Sequence, residues 1–576
     1  MNQKLENILN VSLDATEDEL RKADSLSTGY NWRDNTWEII VKYSGSLESI
    51  RNRYNVYIKE LLNYYAIIVA DKATIELISQ EDVIDYVEKP KSLYYQIERT
   101  KTAACVGSVR ADGNILSGKG VIVGVIDTGI DIFDNAFRNS DGTTRILNIY
   151  DQTTGEKYDK QSIDEYIRLN EDLSGGTFSY DNAPGVDNIM HGTDVSYIAA
   201  GSLGVAYEAD IIAVKMGYSI NNQFPRTTSL MDAIDYIIRK AIEYRKPVAV
   251  NISYGCNYGA HNGNTLLESF IDDISKSYRC VICVGSGNEA DKAIHFGGII
   301  NTGQVQTAYL SVGEYQSAID IQIWKNYWDT IDVMLINPRG EQIGIITEGR
   351  INRYETYNTE IITLLGEPSP YNIYQEIYIN LIPKTDYILS GIWQIVLMAG
   401  SIRAGEYNIW LPSSQALGYA TAFNNPTADG TITMPATARN CIAVGAYNAY
   451  TNSYAAFSGR GFDNSIRNVN AGVKPDITAP GVDISIARQR GNDITYRNVT
   501  GTSYAVPVVT GAAALLMQWG IVMGNDRFMY GEKLKAALID GSKPVGLVGI
   551  TRNDNQPDPR TGWGAVCLKN TLNKIL

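Results

Sequence analysis

Four nearly continuous apolar runs punctuate the chain after Gly118: VIVGVI (121–126), IIAVKM (211–216), PVAVNIS (247–253) and VICVG (281–285). Runs of this length with no polar alternation are what parallel strands covered on both faces require. Between the second and third, residues 229–245 change period. Leu230, Ile234, Ile237, Ile238 and Ala241 fall on one helical stripe, and Ser229 with Asp232 three residues on predicts an N-terminal cap. Strands alternating with helices predict an α/β, doubly wound parallel sheet whose ligands bind beyond the carboxyl ends of its strands.

Two stretches depart from this rhythm. Residues 1–95 read as a separate small α/β unit, with strands at 37–43 and 65–70, helical spacing in SLESIRNRY and KATIELISQ, and a further strand before Pro90. Residues 291–429 hold many strand-like pieces, such as AIDIQIWK and EIYINLIP, separated by turns such as Asn337-Pro338-Arg339-Gly340. They predict an all-β sandwich, a jelly roll, inserted into the α/β domain. Its Trp324, Trp328, Trp393 and Trp410 have two readings, a sugar-binding platform or core packing. The doubly wound domain thus comprises 96–290 and 430–576. Residues 505–523 are apolar enough to mimic a membrane span. Pro507, Thr510 and Gln518 interrupt them, so a buried central helix is expected and no membrane span.

Composition narrows the function. The 576 residues exceed what one core sustains. With 50 basic against 64 acidic residues the formal charge is −14, which argues against a nucleic-acid partner. The polar, acidic N-terminus lacks the features of a secretory signal, so synthesis in a cytoplasm is expected. Cys105, Cys256, Cys280, Cys283, Cys441 and Cys567 are scattered, as reduced thiols are. Cys280 and Cys283 have CxxC spacing without a second ligand pair, so no metal site and no cofactor are expected.

Three short segments carry candidate chemistry: VIDTG ending at Gly129, His191-Gly192-Thr193, and Gly501-Thr502-Ser503-Tyr504-Ala505. A serine hydroxyl is a poor nucleophile until an imidazole takes its proton, and that imidazole needs a carboxylate to orient it. Of three histidines, His191 alone precedes a small-residue apolar stretch, whereas His261 reads as a loop residue and His295 lies at the insertion junction. Asp127 ends its strand, with Gly129 for the exit turn, while Asp131 and Asp134 read as turn or surface carboxylates. Ser503 opens a helix, at a positively polarised helix end.

The flanks VGVIDTGID, HGTDVSYIAAG and GTSYAVPVVTGAAALL each resemble a motif of the subtilisin-like serine proteases, over roughly 115–290 and 430–570, and the order Asp, His, Ser is that of subtilisin. The resemblance implies that Asn288 in VGSGNEA is the oxyanion-hole asparagine acting with the Ser503 backbone N–H, Asn251 being the rival. It further implies that Ser253-Tyr254-Gly255 pairs with substrate backbone, and that the specificity pocket lies between this strand, Gly285-Ser286-Gly287 and Thr431-Ile432-Thr433-Met434-Pro435. Thr433 would stand at the pocket floor, where a hydroxyl favours a polar side chain.

By the same resemblance residues 1–95 are a propeptide, chaperone and inhibitor, bound in its own active site by its tail. Self-cleavage is expected within Tyr94–Ile97, with Tyr95 or Gln96 at the new carboxyl end. A propeptide without a signal, the β insertion and reduced cysteines resemble the clostridial Csp germination proteases. That resemblance implies a spore-packaged enzyme with a protein substrate, the zymogen of a cortex-lytic enzyme. A general degradative subtilase and a propeptide-inhibited binding or sensing scaffold stand as alternatives.

Overall fold

The computed structural model describes residues 2–92, 94–95, 110–111, 114–171, 183–217, 224–346, 349–462, 473–490, 493–546 and 557–576. All four apolar runs form strands of one nine-stranded sheet. Across it lie Ile146–Asp151, Asp210–Lys215, Ile122–Asp127, Val248–Ile252, Cys280–Gly285, Ile442–Asn448 and Ile477–Pro480, each parallel to its neighbour. Glu156–Asp159 and Ser453–Tyr454 add antiparallel ends. Both faces are covered, which is why the runs show no polar alternation.

One face packs on the helices Thr227–Tyr244 and Leu266–Ser277. The other receives His191–Ala200 and Thr502–Met517, the latter buried along its whole length. Residues 502–522 are long and apolar enough to cross a membrane, and here they form the core of the domain. A strand shows its residues to alternate faces, so the three-residue spacing of Cys280 and Cys283 sends one thiol into each core. They cannot share a ligand.

The helix expected from Ser229 starts earlier. It runs Thr227–Tyr244, placing Ser229 inside its first turn and Arg226 at the cap without a side-chain bond. A tertiary contact sets the start: the Thr227 N–H donates to the Lys91 carbonyl (2.7 Å), and Thr227 Oγ1 accepts from the Lys91 N–H (2.8 Å).

The N-terminal unit is a five-stranded antiparallel sheet containing the expected strands as Thr36–Tyr43, Tyr65–Ala70 and Ile84–Glu88. Three helices that the sequence reading passed over precede it, Asn7–Asp14, Glu17–Lys22 and Asp24–Ser27. Strand alternation splits its apolar residues between two cores. Ile39, Val41 and Ile68 face the unit's own helices, while Ile40 and Ile67 face the two outer helices of the large sheet. The junction carries a buried ion cluster. Lys91 Nζ lies 2.7 Å from Glu6 and 2.6 Å from Glu88, and the other oxygen of Glu88 accepts from the first N–H of the Leu266 helix (2.7 Å). Burial, only partly offset by Lys91, pushes the Glu6 carboxyl up to about 7. Removing the lysine alone would leave two buried carboxylates unpaired, a type of loss that costs about 3–5 kcal/mol.

The inserted β region is a sandwich of two antiparallel sheets. One orders His295–Ile299, Glu406–Trp410, Ile319–Asn326, Tyr374–Pro383, Thr359–Leu365 and Ile351–Glu355; the other orders Gln342–Ile343, Ile331–Ile336, Gly391–Ala399, Val305–Val312 and Ala422–Phe423. Trp393 and Trp410 are fully buried in this sandwich, so they pack rather than form a surface platform. Trp324 is half-buried, and only Trp328 is exposed.

A Cβ at Gly511 would stand 2.5 Å from the Val205 Cβ and 2.9 Å from the Ala199 carbonyl oxygen. Gly511→Ala therefore wedges the Ser503 helix away from the His191 helix. Overpacking of this kind costs about 1–3 kcal/mol, against about 1 kcal/mol gained in helix propensity. The obstacle includes backbone, so the cost prevails: the variant melts at a lower temperature than the parent in a calorimetric scan.

Candidate active site

The carboxyl ends of the parallel strands bring the expected residues together. Asp127 ends its strand, and Gly129 (φ +130°) turns the chain away in a conformation that L side chains rarely adopt. His191 is the first residue of a helix packed against the Ser503 helix. Its Nδ1 lies 2.6 Å from Asp127 Oδ1, which also accepts the Thr128 N–H at 2.8 Å. Burial opposes charge on the imidazole, but the attraction and hydrogen bond of Asp127, with the nearby Asp194 and Asp187 carboxylates, outweigh it, and the ring's pKa is raised from 6.5. Ser503 is the second residue of its helix and fully buried, and its carbonyl accepts from Ser253 Oγ at 3.2 Å.

Asn288 follows the strand Cys280–Gly285 by three residues. Its side-chain oxygen accepts both the Thr502 N–H (3.0 Å) and the Thr502 hydroxyl (3.1 Å). That fixes the amide's orientation. Its nitrogen is buried without a hydrogen-bond partner among the described residues. An oriented but unspent donor beside a serine at a helix start can receive an oxyanion. The rival, Asn251, is committed elsewhere. Its nitrogen donates to Ser253 Oγ (3.0 Å) and its oxygen accepts from Thr510 (3.2 Å), beneath the Ser503 helix.

The three segments expected to enclose a pocket are neighbours. Met434 and Cys256 exchange backbone hydrogen bonds (2.8 and 2.9 Å), extending the edge begun by Tyr254–Gly255, and the Thr433 N–H donates to the Ser286 carbonyl (3.0 Å). Thr433 is buried, its side chain pressed against Gly287. Along the outer edge, Tyr254 and Gly255 pair antiparallel with Tyr95 and Tyr94, so the N-terminal unit's tail reaches the strand expected to hold substrate. Gln96 lies outside the described residues, as does Cys105.

Several buried carboxylates hold this arrangement. Asp187 went unnoticed in the sequence. One of its oxygens accepts from Thr128 Oγ1 and the Met190 N–H (both 2.7 Å), the other from the Thr193 N–H and hydroxyl (both 2.8 Å). It thereby ties the turn after Asp127 to the helix start at His191. The available signal was an aspartate four residues before His191, with threonines placed to answer it. Asp194, in the same helix, meets Arg488 (3.0 Å) and Arg497 (2.9 Å) from the hairpin Ile484–Arg490 and Asp493–Val499. Asp131 and Asp134 are turn residues as expected, but neither is on the surface. Each caps a backbone N–H, and Asp131 also binds Arg490 (2.7 Å).

Comparison with known proteins follows this geometry. The model of the subtilase family matches residues 118–368 and 404–564, and that of the Csp protease B prodomain matches residues 3–91. The CspB protease of Clostridium perfringens, a solved structure, is 34% identical; the match covers 80% of this chain and 94% of that one, with a TM-score of 0.72. The subtilase-type proteinase RRT12 of Saccharomyces cerevisiae is 33% identical over 128 residues, 22% of this chain and 23% of that protein. Subtilisin-like protease 10 of Arthroderma otae is 34% identical over 120 residues, 21% and 27%. The alignments thus span about a quarter of the length of these two curated relatives.

Replacing Asp127 by Asn removes the largest of the contributions that raise the imidazole pKa and leaves only Asp194 and Asp187 to oppose burial. The titration of His191 followed by NMR should lie above 6.5 in the parent and move down in the variant. The stability linkage has the matching sign. In the parent, the raised folded-state pKa stabilises the fold fully below about 6.5, and the contribution fades as pH rises through the folded value.

Proposed function

This chain belongs to the subtilase family of serine proteases, and from that premise we propose that it is a serine endopeptidase that cuts itself once and then acts on a protein substrate. The observation that carries this reading is the antiparallel pairing of Tyr94–Tyr95 with Tyr254–Gly255. It sets the end of the N-terminal unit on the edge where an extended peptide would lie, next to Ser253, whose hydroxyl donates to the Ser503 carbonyl.

In this reading Ser503 Oγ attacks the scissile carbonyl while His191, through its other nitrogen, takes the hydroxyl proton. Asp127 holds the ring's tautomer and stabilises the imidazolium. Negative charge on the former carbonyl oxygen meets the Ser503 N–H and the Asn288 amide. The amine leaves with the proton from His191, and water then hydrolyses the acyl-enzyme by the reverse sequence of proton transfers. Neither a metal nor a cofactor enters. Thr433 favours a polar side chain before the cut, which agrees with Gln96 as the new carboxyl end, Tyr95 being the adjacent choice.

The biological role we propose follows the resemblance of the whole architecture, propeptide, catalytic domain and β insertion, to the clostridial Csp proteases. The enzyme is packaged in the spore, and it activates a cortex-lytic zymogen by limited proteolysis. The burial of Asp127, His191 and Ser503 favours the scaffold alternative as a second reading, since a propeptide that never leaves would keep the site closed.

Intact-mass analysis separates the two. Wild type should appear as two fragments divided at Tyr95 or Gln96, and Ser503→Ala as one chain; an uncut wild type favours the scaffold. Asn288→Ala, which removes the amide donor, should slow self-cleavage by about 10²–10³. Among peptides with Gln, Leu or Phe before the scissile bond, Gln should be cut fastest, and a clear preference for Phe would discard the assignment of Thr433.

A further inference from the structure

The two histidines outside the catalytic set both stack on one tryptophan. His261, in the loop after Tyr254–Gly255, stacks on Trp410 of the β sandwich with centroids 4.2 Å apart and planes 9° apart. His295 stacks on the same tryptophan at 4.9 Å and 19°. All three rings are buried. Each also faces a backbone carbonyl of the segment that returns from the sandwich to the catalytic domain. His295 Nδ1 lies 3.1 Å from the Thr427 oxygen, Trp410 Nε1 donates to Gly430 at 2.9 Å, and His261 Nδ1 lies 2.6 Å from Ile432. A carbonyl only accepts, so these ring nitrogens carry the protons.

The segment's next residue is Thr433. Its N–H is held by the Ser286 carbonyl, and Met434 continues the pairing with Cys256. The residue expected at the pocket floor therefore sits between the ring stack and the catalytic sheet. His261 Nε2 faces the Asn257 carbonyl at 3.2 Å, so both of its nitrogens meet main chain. His295 Nε2 lies 3.0 Å from Asn408 Oδ1 on the neighbouring strand, and burial pushes this ring down to about 4.

We infer that His295, Trp410 and His261 form a positioning ladder by which the β sandwich holds the Ile432–Met434 wall at a set distance from Gly285–Gly287. Its rungs bind main chain, so it sets where the wall stands while Thr433 sets the wall's chemistry. Displacing reacting groups by about 1 Å can cost on the order of a hundredfold in rate. A wall no longer held in place admits more than one residue before the cut. The inference rests on the reading of Thr433 as pocket floor.

The test uses the full-length chain, made by cell-free translation, with the self-cleavage rate followed in time and the new termini mapped by intact mass. His261→Asn retains a donor near the position of Nδ1, toward Ile432, whereas His261→Gln places its donor near that of Nε2, toward Asn257. The Asn variant should cut at the parental bond and near the parental rate. The Gln variant should be about tenfold slower, the size of one well-made hydrogen bond, and should yield additional termini. Trp410→Leu should resemble the Gln variant, and Trp410→Phe, which keeps the stack and loses the Gly430 bond, should fall between. If Asn and Gln behave alike, or both Gln and Leu variants match the parent, the ladder is overturned. Thr433→Gly separates this from failure of the pocket reading. A shifted bond in Thr433→Gly with no change in the ring variants removes the ladder alone. An unshifted bond in Thr433→Gly, or an uncut parent, removes the pocket reading and the ladder with it.

Discussion

A helix with no polar face must be enclosed on every side, and the enclosure of Thr502–Met517 organises this molecule. The parallel sheet, the strand Ile477–Pro480 included, covers one side and the His191 helix another. Because the helix cannot turn toward solvent, its first residues emerge at the one place where the sheet's carboxyl ends open. The start of this helix, Thr502 to Tyr504, therefore meets Asn288 and His191 through burial of residues that have no chemistry of their own. The polar groups nearest the site are spent on the same task, Asn251 and Thr510 beneath the helix and Asp187 across the gap between the Asp127 turn and His191.

The two units attached to this domain are fastened by different physics. The N-terminal sheet docks through the alternation of its own strands, which leaves Ile40 and Ile67 for the outer helices, and through the cluster of Glu6, Glu88 and Lys91. A buried cluster of this kind contributes little net stability but makes misplacement costly, which suits a tail that must reach Tyr254–Gly255 in register. The β sandwich instead meets the catalytic domain through stacked rings and carbonyls around Trp410. Both attachments end at the same substrate edge, one on the strand that would hold a peptide and the other on the wall of the expected pocket.

The parallel strands and the buried helix were legible because long apolar runs have few alternatives in a chain this size. So was the grouping of Asp127, His191, Ser503 and Asn288, since their motifs pair a chemical side chain with the glycine or small residues its position requires. Helix starts were less legible. The cap expected at Ser229 lost to a bond between Thr227 and Lys91, residues far apart in the chain, and no local pattern records such a contact. The N-terminal helices passed unnoticed because they are only eight, six and four residues long, too short to carry a clear period.

What the sequence determined by itself was the fold class and the choice of candidate residues, because both follow from local rules: apolar period, turn residues and the chemical types that a hydroxyl nucleophile needs. Only the tertiary structure decided which polar residues are supports. Asp187, Asp194, His261 and Trp410 look ordinary one at a time, and they take their roles from partners brought together by burial. A hydrogen bond or a ring stack depends on distance in space, and the chain's order carries that distance only after the apolar surfaces have closed.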